Sequence, residues 1–351
     1  MDLRGDYMLD ERKLKVLYAI IESYITSAEP IGSRTISKDY NLGVGSATIR
    51  NEMSDLEEMG YLIKTHSSSG RIPSDKGYRL YVDNLSELKD DKNDFKKKYD
   101  IKKILEEESK EIEQLILNSS RLLSQITSYT SLALSPKQKE SKIRHIQLLP
   151  IDKNQILLII VNESGVIKNT IFHMEDSIPD EQLNRITNML NIKLKNRSFY
   201  EIDKKLNEEL FRDFNQFKGM IEEIIPIIGK SIGSMDTIEL YSDGLTRLLN
   251  FPEYRDIDRV KSIISFIEDK NQLMDLLLMD NKDKDIDITI GTENIYVPVR
   301  ECSIITATYK LDGETLGKIG IIGPTRMNYL KLTKTLKIFS ENISEIINNN
   351  Y

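Results

Sequence analysis

The stretch from Ser33 to Gly60, SRTISKDYNLGVGSATIRNEMSDLEEMG, constrains this chain more than any other, because its punctuation admits two short helices joined by a tight turn. Asn41, Leu42 and Gly43 separate the helical patterns, and Asn and Gly tolerate the positive φ that a sharp turn demands. The first helix carries Thr35, Ile36, Lys38 and Tyr40. Ser46 stands at an N-cap position ahead of a helix from Ala47 to Met59, and Gly60 stands just past its end. At about 100° per residue, Ile49, Met53 and Leu56 share one face of that second helix. Ala47, Asn51 and Ser54 fall opposite, with Arg50 and Asp55 on the flanks.

The outward face is short, polar and nearly without bulk, which is what the edge of a DNA base pair accommodates. Arg50 can pair bidentately with guanine and Asn51 with adenine, and the methyls of Ala47 and Thr48 can meet a thymine methyl in the major groove. With Ser54, these residues are the candidates for base contact. After Gly60, residues 61–65 read as a strand, residues 66–70 as a loop and residues 71–74 as a return strand. Helix, turn, helix and hairpin in that order make a winged helix-turn-helix. Lys64, His66 and Arg71 on the wing, with Ser33, Arg34 and Thr35 at the start of the preceding helix, are the candidates for the phosphate backbone or the minor groove.

The run from Ser33 to Asp83 resembles the N-terminal domain of the HrcA family, the heat-inducible transcription repressors of bacteria. Gly291-Thr292-Glu293-Asn294 and the run from Gly320 to Tyr329 resemble that family's C-terminal signatures. The resemblance implies an α+β multidomain chain. Residues 1–85 form the winged helix-turn-helix, and residues 86–175 a linker, a long helix and the first half of a GAF-like domain. Residues 176–255 form an inserted dimerisation domain, and residues 256–351 the second half of the GAF-like domain. It further implies a homodimer on double-stranded DNA at the CIRCE inverted repeat upstream of chaperone operons, with the GroE chaperonin maintaining the active repressor. A metabolite-sensing regulator, with a small molecule in the GAF-like domain, is the alternative.

Charge bears on this directly. The chain has 49 Lys+Arg against 56 Asp+Glu, and residues 1–80 hold 11 basic and 12 acidic side chains. Affinity for DNA rests largely on neutralised phosphates, so Asp10, Glu11, Glu22, Glu57 and Glu58 must point away from the duplex, and two copies must double the contacts. A single cysteine, Cys302, excludes an internal disulfide, and three scattered histidines give no zinc spacing. No nucleophile elbow, metal-ligand spacing or distinguishable pair of carboxylates points to an enzyme, and nothing calls for a cofactor. Neither a signal peptide nor a membrane span is expected, so the protein is expected in the cytoplasm.

Elsewhere, Asp10 caps a helix to about Ser27 with Leu14, Leu17, Tyr18, Ile21 and Ile25 as its core stripe. Asp75 caps a short helix holding Tyr78, Tyr81, Val82 and Leu85. Residues 86–100 are a charged linker in which Lys96, Lys97 and Lys98 are solvated, and residues 101–129 one long helix. Strands at residues 145–151, 155–162, 167–174, 287–290, 303–311 and 315–322 make a single antiparallel sheet, flanked by a closing helix over residues 328–347. Between its halves lie helices at residues 181–190 and 207–232, a strand at 237–241 and a helix at 260–279. The isoleucine cluster Met220, Ile221, Ile224, Ile225, Ile227 and Ile228 is denser than one helix face buries. An internal core and a two-fold interface both account for it. Gly320, Gly323 and Pro324 read as a turn between strand and helix, with Arg326 in structural contacts.

Overall fold

The computed structural model describes residues 9–65, 70–85, 100–109, 111–136, 142–163, 167–174, 178–197, 218–235, 238–279 and 284–350. His66, Lys96, Lys97 and Lys98, and residues 207–217 of one expected helix, lie outside these. The chain first forms helices α1 (Glu11–Ser27), α2 (Ser33–Asp39) and α3 (Ser46–Glu58), then an antiparallel hairpin of β1 (Leu62–Lys64) and β2 (Arg71–Pro73), then α4 (Asp75–Asp83). Asp10 caps α1, its carboxylate accepting from the Lys13 amide. Gly43 at φ +70 makes the turn before α3, and Gly60 at φ +78 ends it. Two caps sit one residue earlier than the sequence suggests. Gly45 is the N-cap of α3, leaving Ser46 in its first turn. Ser74 is the N-cap of α4, its hydroxyl accepting from the Gly77 amide, which frees the Asp75 carboxylate for a distant partner.

The expected long helix is broken into α5 (Ile101–Glu108) and α6 (Ile112–Thr127). Ser109 is extended, and the Asn118 amide donates to the Glu108 carbonyl and the Ser109 hydroxyl, satisfying groups that the break exposes. Likewise α9 (Ile257–Glu268) and α10 (Lys270–Met279) replace one expected helix, parted at Asp269.

The strands correct the single-sheet expectation. Strands β4 (Ile143–Asp152), β5 (Gln155–Asn162) and β6 (Ile167–His173) form a separate three-stranded antiparallel sheet. Helices α7 (Asp180–Leu194) and α8 (Lys218–Met235) cover one face of it, with Ile146, Leu158, Ile160, Ile186, Ile224 and Ile228 fully buried between them. The isoleucines of α8 therefore serve an internal core, though Met220 and Ile227 are only partly covered.

The central sheet has five antiparallel strands in the order β7-β3-β10-β9-β8. It adds to β8 (Ile286–Ile290), β9 (Cys302–Leu311) and β10 (Glu314–Pro324) an unexpected strand, β3 (Thr130–Leu134). It also takes β7 (Leu240–Asp243), the strand expected at residues 237–241 in the inserted segment, which pairs with β3 in this sheet instead. Both its faces are covered, so its strands read as nearly continuous buried runs rather than as an alternation. Ala133, Ile305, Tyr309, Ile319 and Ile321 face α6 and the closing helix α11 (Tyr329–Asn350). Leu132, Leu134, Ile304 and Ile322 face α9 and α10. Gly320 and Gly323 lie inside β10 rather than in a turn, and a Cβ on Gly320 would meet the Ile305 carbonyl at 2.7 Å. The core around α1, α3 and α4 runs without interruption into the one beneath α11.

Candidate nucleic-acid interface

Helix α3 is amphipathic in the way its spacing predicts. Ile49 and Leu56 are completely buried and Met53 nearly so, against α1 and β1, while Ala47, Arg50, Asn51 and Ser54 are exposed and Thr48 is half-buried. The apolar side stabilises the helix by roughly 1.5–3 kcal/mol per fully buried side chain, and so fixes which residues face outward. At the start of α2, Arg34 and Thr35 are exposed and Ser33 is half-buried. On the hairpin Lys64 is exposed, beside an exposed Ile63.

Arg71 is placed differently from Lys64. Its Nε donates to Glu57 Oε2 at 2.7 Å and its backbone pairs with Ile31, joining the hairpin to the connection between α1 and α2. The guanidinium is drawn toward the protein, so among the described residues the hairpin's outward cation is Lys64, and Glu57 is neutralised within the fold.

One residue of this helix escaped the sequence reading. Glu52 lies on the buried face, with a side chain only 5% exposed. Arg12 Nε donates to its Oε1 at 2.7 Å, and Lys13 Nζ lies 2.8 Å from its Oε2 and 3.0 Å from Asp55 Oδ2. The hydrogen bonds that Lys13 donates to Glu52 and Asp55 raise its pKa above its ordinary value, and the Lys13 amide, donating to Asp10, lowers that of Asp10. The available signal was positional: Glu52 follows Ile49 by three residues and precedes Leu56 by four, and a carboxylate on a buried face requires a cation. The clamp neutralises α3's own acids on the side facing α1, away from Arg50 and Asn51.

The model of the HrcA protein C terminal domain matches residues 113–332. The heat-inducible transcription repressor HrcA of Alkaliphilus metalliredigens is 43% identical over 343 residues, covering 98% of this chain and 99% of that one. The chain belongs to the HrcA family. The repressor of the same name from Clostridium tetani is 42% identical, with 97% of this chain and 96% of that one covered. That of Clostridium acetobutylicum is 40% identical, with 97% of each covered. A crystal structure of a hypothetical protein at 2.2 Å resolution shares the fold, with a TM-score of 0.68 over 98% of this chain and 100% of that one, at 23% identity. HrcA proteins are transcription repressors rather than enzymes, which makes DNA the class of partner to test against the α3 face. Among the described residues, no helix is long and apolar enough to cross a membrane.

Proposed function

We propose that this HrcA-family chain represses transcription as a homodimer. In this reading α1 to α4 and the β1–β2 hairpin are a winged helix-turn-helix, and α3 reads each half of the CIRCE inverted repeat at chaperone operons. The observation that carries it is the division of α3. Ile49, Met53 and Leu56 are buried, while Ala47, Arg50, Asn51 and Ser54 stand exposed along its other side. Thr48 joins these at the base edges. Arg34, Thr35, Ser33 and Lys64 take phosphates, His66 belongs to the wing tip, and Arg71 holds the wing to α3 through Glu57. The central five-stranded sheet is the GAF-like domain, and the unit from β4 to α8 is the inserted dimerisation domain.

A second copy of the chain is the occupant that best suits the bare face of the β4–β6 sheet. Residues of that face run in register across the strands: Leu149, Leu157 and Ile171 in one row, His145, Val161 and Ile167 in another, and Gln147, Ile159 and Asn169 between them. Leu149, Ile151, Ile167 and Ile171 are 41–61% exposed, and no Asp, Glu, Lys or Arg interrupts these rows, although 30% of the whole chain is charged. Apolar sheet faces of this kind mark interfaces, and a two-fold dimer presents two α3 helices to a two-fold operator. The GroE chaperonin maintains the active fold, so that titration of the chaperonin by unfolded clients releases the operator.

A gel-shift titration of a CIRCE duplex, with and without GroE chaperonin, tests this reading. A specific complex that strengthens with chaperonin supports it. Equal affinity for a scrambled duplex refutes the operator, and indifference to chaperonin refutes that part of the regulation.

A further inference from the structure

We propose that the C-terminal signature segment Gly291–Asn294, together with Arg326 and Tyr329 at the end of the signature run from Gly320 to Tyr329, is a clasp that holds the DNA-binding unit in one pose. By doing so it sets the spacing between half-sites that the dimer accepts. This inference rests on the DNA-binding reading above and adds to it the residues that position α3.

The first segment grips α4. Thr292 donates from both its amide and its hydroxyl to Asp75 Oδ2, each at 2.9 Å. Arg79 is held bidentately by Glu293, with Nε 2.7 Å from Oε1, and a further N–H reaches the Ile288 carbonyl at 2.6 Å. Gly291 is required by this approach: its φ is +55, and a Cβ there would collide with the Asp75 carboxylate. Asn294 fixes the loop from inside, its buried amide donating to the carbonyls of Gly291, Val299 and Cys302. Each residue of the Gly-Thr-Glu-Asn run thus has a part in the grip.

The second segment holds the end of α1. Arg326 donates to the Ile25 carbonyl at 2.7 Å and to Glu253 Oε1 at 2.6 Å, so one guanidinium joins the DNA-binding unit to the central domain. Tyr329 is fully buried, anchored by Ser303 at 2.7 Å, and its ring lies 5.7 Å from that of Tyr78 on α4. Two charged grips with a buried aromatic contact define an orientation rather than a loose tether, because bidentate pairing fixes direction as well as distance. Binding two half-sites at once gains from a fixed geometry only when the spacing matches. A dimer whose α3 helices are held rigidly therefore discriminates between spacings.

The test uses the full-length dimer and three duplexes: a single half-site, the matched inverted repeat, and the same repeat with its spacer changed by ~5 base pairs, about half a helical turn. Arg79→Met is expected to leave half-site affinity within about two-fold of wild type. On the matched repeat it is expected to lose about ten-fold, a modest part of the usual gain from two-site binding, with a smaller preference for the matched spacing. The swap Arg79→Glu with Glu293→Arg is expected to recover part of that preference. Should Arg79→Met unfold, Thr292→Val, which removes a single hydroxyl bond, carries the same comparison. Unchanged spacing preference, a gain in affinity on the matched repeat, or equal losses on half-site and full repeat would each overturn the clasp. Failure of the wild type on every duplex would refute the DNA-binding reading itself.

Discussion

Replacing Lys13 by methionine tests how α3 is held. The change keeps most of the stem and removes the ammonium 2.8 Å from Glu52 Oε2 and 3.0 Å from Asp55 Oδ2. Glu52, 5% exposed, then retains Arg12 alone. Stripping a buried carboxylate of all its partners costs about 3–5 kcal/mol, and a single charged hydrogen bond contributes about 1.5–3 kcal/mol. With Arg12 still in place, a loss of about 2 kcal/mol is expected. At ~2–4 °C per kcal/mol for a cooperative unit of 150–250 residues, this lowers the calorimetric midpoint by at least ~4 °C. In a Glu52→Gln background the same substitution should cost markedly less, because the buried charge it answers is gone and only the exposed Asp55 carboxylate remains. The sign with pH is fixed as well. Lys13 binds its proton more tightly folded than unfolded, so its contribution is complete below the ordinary value of 10.5 and fades as pH rises through the folded value. The stability gap between wild type and Lys13→Met should therefore be constant near neutrality and close under alkali. A variant as stable as wild type at pH 7, or a gap that widens in alkali, would refute this account of Glu52.

Other expectations follow from packing and backbone. Ile49→Ala empties a fully buried site beneath α3 and should cost about 2–5 kcal/mol in denaturant titration, with operator binding lost in parallel. Gly60→Ala places a side chain at φ +78 with nothing within 4 Å, so only strain acts, and about 1–2 kcal/mol of stability should be lost. Ile171→Asp puts a carboxylate on the bare sheet face, 61% exposed in a single chain. Light scattering should show a folded monomer that still binds a half-site, whereas an unchanged dimer would move the interface elsewhere.

Local structure was the part most readable in the sequence. The span of α1, the two faces of α3, the turn at Gly43 and the stop at Gly60 depend on contacts within a few residues, where period and capping suffice. Of the stripe expected on α1 only Leu17 and Ile21 are buried, joined by Val16, Ala19 and Ile20, because α3 and α4 cover the helix from more than one side. The partition of strands was not readable, because pairing joins β3 to β10 across nearly the whole C-terminal half. The run Thr130–Leu134, five residues rich in hydroxyls and small side chains, carries little strand signal beside the isoleucine-rich strands after it. Those strands in turn resemble a natural continuation of the central sheet, yet α7 and α8 give them a core of their own. Glu52 has no place in the sequence reading, because only its position between Ile49 and Leu56, and not its residue type, marks it for the buried face. The contacts of Asp75 and Arg79 span more than 200 residues, so no local pattern announces them.

The central claim is that the exposed side of α3 reads bases while the hairpin holds phosphate, and a specificity profile separates these roles most directly. Affinities of wild type, Arg50→Ala and Lys64→Ala are measured by fluorescence anisotropy on CIRCE duplexes substituted one base pair at a time, at fixed salt. Arg50→Ala should lose about 1–3 kcal/mol and become indifferent to the base at one position, while Lys64→Ala should weaken every duplex alike. Uniform losses from Arg50→Ala, or a profile identical to wild type, would contradict the assignment of α3 as the reading helix.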